Sequence, residues 1–535
     1  MVTPIAEVVA GHRQLVRRAS TPGRHSSWSP SSPLDHMLAH WHDQLSCAVE
    51  LDMRFALQRL ARLVQDAPGK VISRWSLFAG SGLATHACEA LRRFWQHRYD
   101  IDIPFASALV AERNPKKRAH LMQHTDPKFV VEAVSELQSD IAKNLKFEDH
   151  RQELLPYCFG LDGGPPCTSR SPLNNRSCEN IDCVQEGKGA TGEGFADTLK
   201  CIKKHWPLCV TLECVVQLMQ KSVDKEESDC EWFSQQMSDV GYWVVAEAIE
   251  ADEFGSPVPR ERLYWASALH LKGEKPQITH FFRRIFTSFK VAVQLSADLF
   301  LTHDPATRRQ EARALGIPLH SDVPGIRASR TQKENLSWKV EHKEIYEANS
   351  VPWPPDFSSY EGFASDGLLP REAEQALLLH LIFPPRAPEC VEYVDINPSG
   401  SRVLHPHLSD EWQPKAGHTA WRAKLPTLTG SLKLVIRHTS KGKSTIRLAE
   451  AFEVMRLMGW ADQYWRGTPT YASGDELLDL VEGLAGNAYS VWNFVPWYIA
   501  LLATFGRFFE SPSHEEEEDD VNATPPDDFL MVDSD

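Results

Sequence analysis

The chain has 535 residues, which is too many for one average domain, and its hydrophobic fraction of 42% is sufficient for a sizeable core. The net charge of −15 is concentrated at one end, since residues 510–535 carry 11 acidic residues and no Lys or Arg. The composition therefore neither indicates nor excludes nucleic acid as a partner, and phosphate contacts would have to come from local basic patches. The longest apolar run, residues 494–505, is shorter than the roughly 20 residues that span a bilayer, so we expect no membrane partner.

The N-terminal part of the chain divides into two segments. Residues 1–34 are rich in Ser, Pro and Arg, a composition typical of disordered segments. Apolar residues at helical spacing then predict one helix over residues 35–65, within a helical extension that covers residues 35–70. The sequence Ala67-Pro68-Gly69 ends this helix. We interpret it as a packing helix at the edge of the next domain, and a surface for a protein partner is the alternative.

From Arg74 onward, predicted strands alternate with predicted helices, which is the pattern of a parallel sheet. Residues 71–270 are therefore expected to form an α/β domain with a doubly wound, mostly parallel sheet. The predicted strands cover residues 75–79, 106–111, 129–134, 157–161, 208–212, 242–249 and 262–268, and the last two suit an antiparallel pair. The predicted helices cover residues 84–95, 195–205 and 231–240.

The stretch around which the domain is organised is residues 157–171, which read YCFGLDGGPPCTSRS. An apolar strand is followed by two glycines, which allow a sharp exit, and by two prolines, which stiffen the turn. Cys167 is thus presented on a rigid loop at the carboxyl end of a strand, where open α/β sheets bind their ligands. A thiol held there is a candidate nucleophile. The alternative is a simple turn followed by an unrelated cysteine.

Two further strand ends carry candidate binding residues. Phe78-Ala79-Gly80-Ser81-Gly82 joins the first strand to a helix, and small residues there let the backbone approach a ligand at the helix N-terminus. Glu112 ends the second strand, where an acid can hydrogen-bond a ribose diol. A tight turn and a solvated strand end are the alternatives for these two features.

The second half of the chain has weaker periodicity. Residues 271–430 are richer in Pro and Trp and are expected to form a small, irregular domain inserted in the first. Helical patterns return at residues 449–458 and 493–505, so we assign residues 431–509 to the C-terminal part of the α/β domain. Residues 510–535 form an acidic tail that cannot fold alone.

Five short motifs occur in an order that resembles the motif series of the cytosine-5 DNA methyltransferases. The resemblance extends from about Arg74 to Phe505 and implies a class I methyltransferase-like fold whose inserted domain, residues 271–430, recognises the target. It also implies DNA as the partner, with the target cytosine flipped out of the duplex because it cannot be reached inside it. The motifs are Phe78-Ala79-Gly80-Ser81-Gly82, Pro166-Cys167, Leu212-Glu213-Cys214-Val215, Pro259-Arg260-Glu261-Arg262 and Gly486-Asn487-Ala488.

The resemblance implies S-adenosyl-L-methionine as the cofactor. Its methionine part would contact the 78–82 segment and its ribose Glu112, and the segment around Asn487 would complete the pocket. No metal site is expected, because Cys178 and Cys183 have no partner pair at zinc-site spacing. The cofactor-binding residues that the resemblance implies are Phe78, Ala79, Gly80, Ser81, Gly82, Glu112, Pro165, Asn487 and Ala488.

The resemblance also implies the chemistry. The thiolate of Cys167 adds to carbon 6 of cytosine, so that carbon 5 becomes nucleophilic enough to take a methyl group. Glu213 faces ring N3 and the exocyclic amine, where a protonated carboxyl stabilises the developing charge. Arg262, together with Arg260, holds the base carbonyl and positions the thiolate, and a cation near Cys167 favours the thiolate form.

Several motif positions depart from the family pattern. Thr168 and Arg170 replace Gln and Phe after the cysteine, Cys214 replaces the Asn that braces the cysteine loop, and Val258 replaces a Gln near DNA. At the end of the third strand, Ala133 occupies the position of the acid that lies near the adenine, with Glu132 beside it. These departures imply altered loop geometry and DNA contacts. They keep a catalytically weak relative, or a non-catalytic DNA- or partner-binding protein, as an alternative.

A tRNA cytosine methyltransferase on the same scaffold is the other alternative, but the Cys-Phe-Thr signature of that branch is absent from the variable region. The N-terminal helix and the acidic tail are the candidate surfaces for a protein partner. Scattered cysteines and the lack of an apolar signal core predict an intracellular protein, nuclear in a eukaryote and otherwise cytoplasmic. Basic residues that would meet phosphates are Arg283, Arg284, Arg327, Arg330, Lys333, Lys339 and the segment 437–443.

Overall fold

The computed structural model describes most of the chain between Ser32 and Glu510. The described residues are 32–171, 181–223, 225–292, 294–322, parts of 343–395, 425, 434–441, 443–460 and 490–510. Residues 1–31 of the predicted disordered segment 1–34 and residues 511–535 of the predicted tail 510–535 lie outside them, as do Asn487, Ala488, Arg327, Arg330, Lys333 and Lys339.

The N-terminal extension forms two helices and not the single predicted one. Helix α1 covers Pro33–Asp43 and helix α2 covers Cys47–Asp66. The break occurs because Ser46 caps α2, its hydroxyl accepting a hydrogen bond from the amide of Val49 at 3.4 Å. Their apolar faces are fully buried in the main core, and the indole of Trp41 donates to the carbonyl of Phe254 at 3.1 Å. The extension is therefore an integral part of the fold.

A seven-stranded sheet forms the centre of the protein. The strands are numbered in chain order, and their order in the sheet is β3-β2-β1-β6-β7-β9-β8. The first five strands in this order run parallel, whereas β9 is antiparallel to both of its neighbours. The predicted doubly wound, mostly parallel sheet is thus confirmed. The strands are β1 Ile72–Leu77, β2 Phe105–Ala111, β3 Phe129–Val131, β6 Gly160–Gly163, β7 Cys209–Cys214, β8 Trp243–Glu250 and β9 Glu261–Ala268, and a hairpin of β4 Ile141–Lys143 and β5 Gln152–Leu154 lies outside the sheet.

Helices follow the strands, as the alternating pattern predicts. They are α3 Leu83–Tyr99, α4 Pro115–His124, α5 Gly189–His205 and α6 Asp229–Asp239. Helix α4 is not among the predicted helices, and the side chain of Asn114 caps it by accepting from the amides of Lys116 and Lys117.

Three predicted strands are shifted along the chain. The first, predicted over residues 75–79, covers Ile72–Leu77. The third strand ends at Val131, because Ala133 begins a short 3₁₀ turn over Val134–Gln138. The fourth predicted strand, residues 157–161, begins only at Gly160 and continues to Gly163, so that Asp162 lies inside a buried parallel strand. A carboxylate is tolerated there because it forms a salt bridge with Arg74 and accepts a hydrogen bond from Ser76 at 3.2 Å.

The long buried helix near the C-terminus, α11 over Val491–Phe508, closes one face of the sheet. It packs against α2 and against a helix over Lys275–Thr287, in which Phe282 and Phe286 meet the indole of Trp497 edge-on. The predicted boundary after residue 270 therefore does not separate cores, since this helix belongs to the core of the α/β domain.

A second, four-stranded sheet has the order β10-β13-β12-β11. The two strands that come last in the chain, within residues 434–448, were assigned by sequence to the α/β domain, so the predicted boundary after residue 430 cuts through the sheet. The remaining domain limits stay predictions. The strands are β10 Ala364–Asp366, β11 Cys390–Asp395, β12 Leu434–Ser440 and β13 Lys443–Leu448, and the helices of this half are α7 Lys275–Thr287, α8 Pro305–Leu315, α9 Pro370–Ile382 and α10 Ala451–Leu457.

Among the residues that the structure describes, no helix has both the length and the apolar character needed to cross a bilayer. The same residues contain no cluster of three His, Cys, Asp or Glu side chains that would hold a metal ion.

Candidate active site

The strand order brings the predicted motifs to one edge of the sheet. Strands β1, β6 and β7 are parallel neighbours, so the loops that follow them leave at the same edge. The order reverses between β1 and β6, which is the position where doubly wound sheets bind ligands. Because β9 is antiparallel to β7, its beginning, with Arg260 and Arg262, lies at the same edge.

The 78–82 loop and Glu112 meet in the structure. The carboxylate of Glu112 accepts hydrogen bonds from the amides of Gly80 and Asn114, each at 2.9 Å. Gly80 and Gly82 have φ angles of 54° and 72°, and Phe78 adopts a φ of 52°, a conformation that costs a non-glycine residue energy. The carboxylate of Glu112 thus ties the end of β2 to the 78–82 loop. These residues fit the predicted cofactor, whereas Asn487 and Ala488 lie outside the described residues.

The Cys167 loop, residues 164–171, is braced from helix α5. A Cβ on Gly194 would lie 2.7 Å from Cδ of Pro166, so only glycine allows this close approach. Pro165 is buried at the start of the loop, and the amide of Ser169 donates to the hydroxyl of Thr191 on α5 at 3.2 Å. The carbonyl of Cys167 accepts from the amides of Arg170 and Ser171 at 3.1 and 2.8 Å. Cys167 itself is half-buried on this turn.

Three charged side chains, those of Glu213, Arg260 and Arg262, converge beside Cys167. Nε of Arg262 lies 3.1 Å from Oε1 of Glu213. This contact follows from the strand register: Glu213 is directly opposite Tyr264, and Arg262 is two residues away on the same face. Arg260 is buried, and burial together with the charge of Arg262 lowers its pKa to about 10.

The electrostatics of Cys167 combine burial with the charges of three neighbouring side chains. Burial raises the pKa of the Cys167 thiol above its ordinary value, and the carboxylate of Glu213 adds to the increase. The guanidinium groups of Arg262 and Arg260 act in the opposite direction, as predicted, but do not outweigh burial. The predicted effect of the nearby cations is therefore present but smaller than that of burial, because desolvation penalises the charged form more.

Four cysteines elsewhere in the α/β domain are buried, namely Cys158, Cys201, Cys209 and Cys214. Burial raises the pKa of Cys201 to about 12 and raises the pKa values of Cys158, Cys209 and Cys214 further. Such thiols are inert. None of the cysteines that the structure describes is in a disulfide.

Two side chains to which the sequence assigned no structural role hold the site together. The amide nitrogen of Asn493, on α11, donates to the carbonyls of Ile249 and Arg260 at 3.2 and 3.1 Å and so ties the start of β9 to the C-terminal helix. The guanidinium of Arg170 donates to the carbonyl of Gln217, beyond Glu213. A polar residue directly before the apolar run 494–505 and a cation three residues after the cysteine were the available signals.

The remaining side chains that were expected near the adenine or near phosphates are exposed or already paired within the protein. Glu132 is exposed, and its amide and that of Ala133 donate to the carboxylate of Glu136. Arg437, expected near phosphates, is fully buried and paired with Glu392 at 2.5 Å. Arg283 and Arg284 form salt bridges with Glu247 and Asp52.

Comparisons with known proteins agree with the motif series. Two solved structures that resemble the fold are the Dnmt2 methyltransferase of S. pombe, with 13% identity and a TM-score of 0.39, and the methyltransferase EhMeth of Entamoeba histolytica, with 9% identity and a TM-score of 0.39. Each match covers 81% of this chain and 98% of the other. No curated protein matches the sequence. The family model of the C-5 cytosine-specific DNA methylases matches residues 74–349, just over half of the chain, and the chain therefore belongs to that family.

Proposed function

We propose that this methyltransferase transfers a methyl group from S-adenosyl-L-methionine to carbon 5 of a flipped-out cytosine in DNA, through a covalent adduct with Cys167. The observation that carries the proposal is the convergence at one sheet edge of Cys167, Glu213 and Arg262, which come from three separate strand ends. The ion pair of 3.1 Å between Glu213 and Arg262 lies beside the thiol, whose pKa both groups influence.

The proposed reaction uses the side chains in order. The sulfur of Cys167, as the thiolate, forms a bond to carbon 6 of cytosine, and the ring electrons move toward N3, where a proton from Glu213 balances the charge. Carbon 5 then takes the methyl group. Loss of the proton from carbon 5 to solvent, return of the N3 proton to Glu213 and cleavage of the bond between sulfur and carbon 6 restore the aromatic ring and release the thiolate. Arg262 and Arg260 hold the base carbonyl during addition.

The cofactor, when bound, supplies an electrophilic methyl group on a sulfonium sulfur, which leaves as a neutral thioether. The residues that would hold it are those of the 78–82 loop, with Glu112 at the ribose. Glu112 already accepts a hydrogen bond from Gly80 at 2.9 Å, so one carboxylate would order the loop and bind the cofactor.

The raised pKa of Cys167 gives the base itself a role in activation. Glu213 contributes to that increase. Once its carboxyl is engaged by ring N3 and the exocyclic amine, its negative charge acts less on the thiol, and the arginines then favour the thiolate. On this account the nucleophile is generated only when cytosine is in place.

Two alternatives remain open to experiment: a tRNA cytosine methyltransferase with the same residues, and a relative that binds nucleic acid without turnover. The test is covalent trapping on duplex DNA that contains 5-fluorocytosine, with S-adenosyl-L-methionine present. Fluorine at carbon 5 blocks the final elimination, so a denaturation-resistant protein–DNA complex that is absent for Cys167→Ala supports the proposal. A complex that forms on fluorinated RNA but not on fluorinated DNA would favour the tRNA methyltransferase. The lack of a complex on either nucleic acid would favour a relative that binds without turnover. A nuclear location in a eukaryotic cell, or a cytoplasmic one otherwise, accompanies the DNA proposal.

A further inference from the structure

A buried arginine connects the loop of the candidate nucleophile with the segment that follows the candidate acid. Arg170 lies three residues after Cys167 and is only 1% exposed. Its backbone amide donates to the carbonyl of Cys167 at 3.1 Å, so the position of this residue and that of the cysteine are coupled.

The side chain of Arg170 reaches across to the other loop. Its Nη2 donates to the carbonyl of Gln217 and to Oε1 of Gln220, the latter at 3.2 Å. Gln217 belongs to a short 3₁₀ turn over Val216–Met219, which begins two residues after β7 ends at Cys214. One side chain thus ties the Cys167 loop to the segment that leaves the strand carrying Glu213.

Burying a guanidinium is costly unless its hydrogen bonds are made inside the protein. A second charged group lies nearby, since Arg170 acts on the pKa of Asp229, the first residue of α6. Asp229 in turn accepts from the amides of Val184 and Gln185 at 3.2 and 3.0 Å. Cys214, the residue next to Glu213, is a buried neutral thiol and a weak hydrogen-bond donor. The guanidinium is therefore the strong donor that joins these loops.

We propose that Arg170 is a positioning residue, which sets the placement of Cys167 relative to Glu213 by holding the two loops together. The part of this proposal that concerns turnover rests on the proposed function, whereas the part that concerns the thiol does not. The charged groups with the largest effect on the pKa of Cys167 are Glu213, Arg262 and Arg260. The effect of Arg170 would therefore be geometric.

The test compares Arg170→Met, which keeps the volume but removes the donors, with Arg170→Lys, which keeps the charge. The full-length protein is alkylated with iodoacetamide from pH 6 to 10, and modification of Cys167 is followed by mass spectrometry of its peptide. The quantity compared is the midpoint, the pH at which alkylation of Cys167 is half-maximal. If Arg170→Met releases the loop, water reaches the thiol and burial raises its pKa less. The midpoint for Arg170→Met then moves to lower pH. The midpoint for Arg170→Lys is expected to lie between those of the wild type and Arg170→Met, because a point charge replaces the planar donor.

The matched control is Arg92→Met, which removes an exposed arginine paired with Asp102 at 2.6 Å. It is expected to leave the midpoint unchanged. In methyl-transfer assays, Arg170→Met should lower kcat by about 100-fold, as small misplacements do, while KM for S-adenosyl-L-methionine stays the same. An unchanged midpoint and an unchanged kcat would overturn the proposal.

Two further outcomes are separable. If Arg170→Met does not fold, as judged by urea unfolding, Gln220→Ala removes only one acceptor, and its Cys167 midpoint must shift in the same direction or the proposal fails. If the wild type methylates neither DNA nor RNA, the proposed function fails, and the alkylation midpoints still decide whether Arg170 positions Cys167.

Discussion

The carboxylate of Glu112 accepts a hydrogen bond of 2.9 Å from the backbone amide of Gly80, across two adjacent parallel strands. An acid at the end of β2 thereby fixes the loop at the end of β1. Two features that lie 32 residues apart in the sequence are one structural unit.

This unit leads to the first prediction, on cofactor affinity. Glu112→Ala should weaken S-adenosyl-L-methionine binding by about 1–3 kcal/mol, because a ribose hydroxyl loses its partner and the loop loses its anchor. Isothermal titration calorimetry measures the change, and Glu112→Gln, which retains an acceptor oxygen, is expected to lose less. Equal affinities for wild type and Glu112→Ala would remove Glu112 from the cofactor site.

The second prediction concerns the pH dependence of Cys167. Because Glu213 raises the pKa of the thiol, Glu213→Gln should move the iodoacetamide midpoint of Cys167 to lower pH. Because Arg262 acts in the opposite direction, Arg262→Gln should move it to higher pH. Peptide-level mass spectrometry separates Cys167 from the exposed Cys47. Shifts of the same sign for both variants would refute this description of the site.

The third prediction concerns the buried ion pair of Arg74 and Asp162, which lie in the neighbouring strands β1 and β6. Asp162→Asn leaves a buried guanidinium without its counter-charge and should reduce the free energy of unfolding by about 3–5 kcal/mol. The control Arg92→Met, at an exposed pair, should cost at most about 1 kcal/mol. Urea unfolding measures both. Similar losses would mean that the ion pair at the base of the two site loops contributes little to stability.

The fourth prediction concerns the acidic tail. Truncation after Glu510 keeps the ion pair of that residue with Lys272 at 2.7 Å and removes ten of the acidic residues. The melting temperature should stay nearly the same, and DNA binding should tighten at low salt, since the tail no longer competes for basic surface. Fluorescence anisotropy at two salt concentrations measures the binding. Weaker or unchanged binding by the truncated protein would contradict the competition.

Local patterns predicted the elements that carry the site. The alternation of strands and helices predicted the parallel sheet, and the strand ends predicted the 78–82 loop and Glu112. Glu213 and Arg262 were instead implied by the resemblance to the cytosine-5 DNA methyltransferases. The loop and Glu112 are predictable because a strand end and its loop are adjacent in sequence, and parallel strands align their ends.

Contacts between distant residues were not predictable from local patterns. The pairing of Arg74 with Asp162 spans 88 residues, and the hydrogen bond from Arg170 to Gln217 spans 47. The raised pKa of Cys167 depends on how much of the thiol the fold buries, and a nearby arginine in the sequence does not reveal this. The break between α1 and α2 was missed because the apolar spacing continues through it, while the cap at Ser46 is a local polar signal.

The central claim is that Cys167 is the nucleophile of methyl transfer to cytosine in DNA. The measurement is incorporation of tritiated methyl groups from S-adenosyl-L-methionine into duplex DNA by wild type, Cys167→Ser and Glu213→Gln, with RNA in parallel. The account predicts incorporation by wild type and none by Cys167→Ser, because a hydroxyl at this site has no strong base to activate it. Glu213→Gln should also lose turnover, since an amide does not deliver a proton to the ring. Methylation by Cys167→Ser at the wild-type rate would contradict the covalent mechanism.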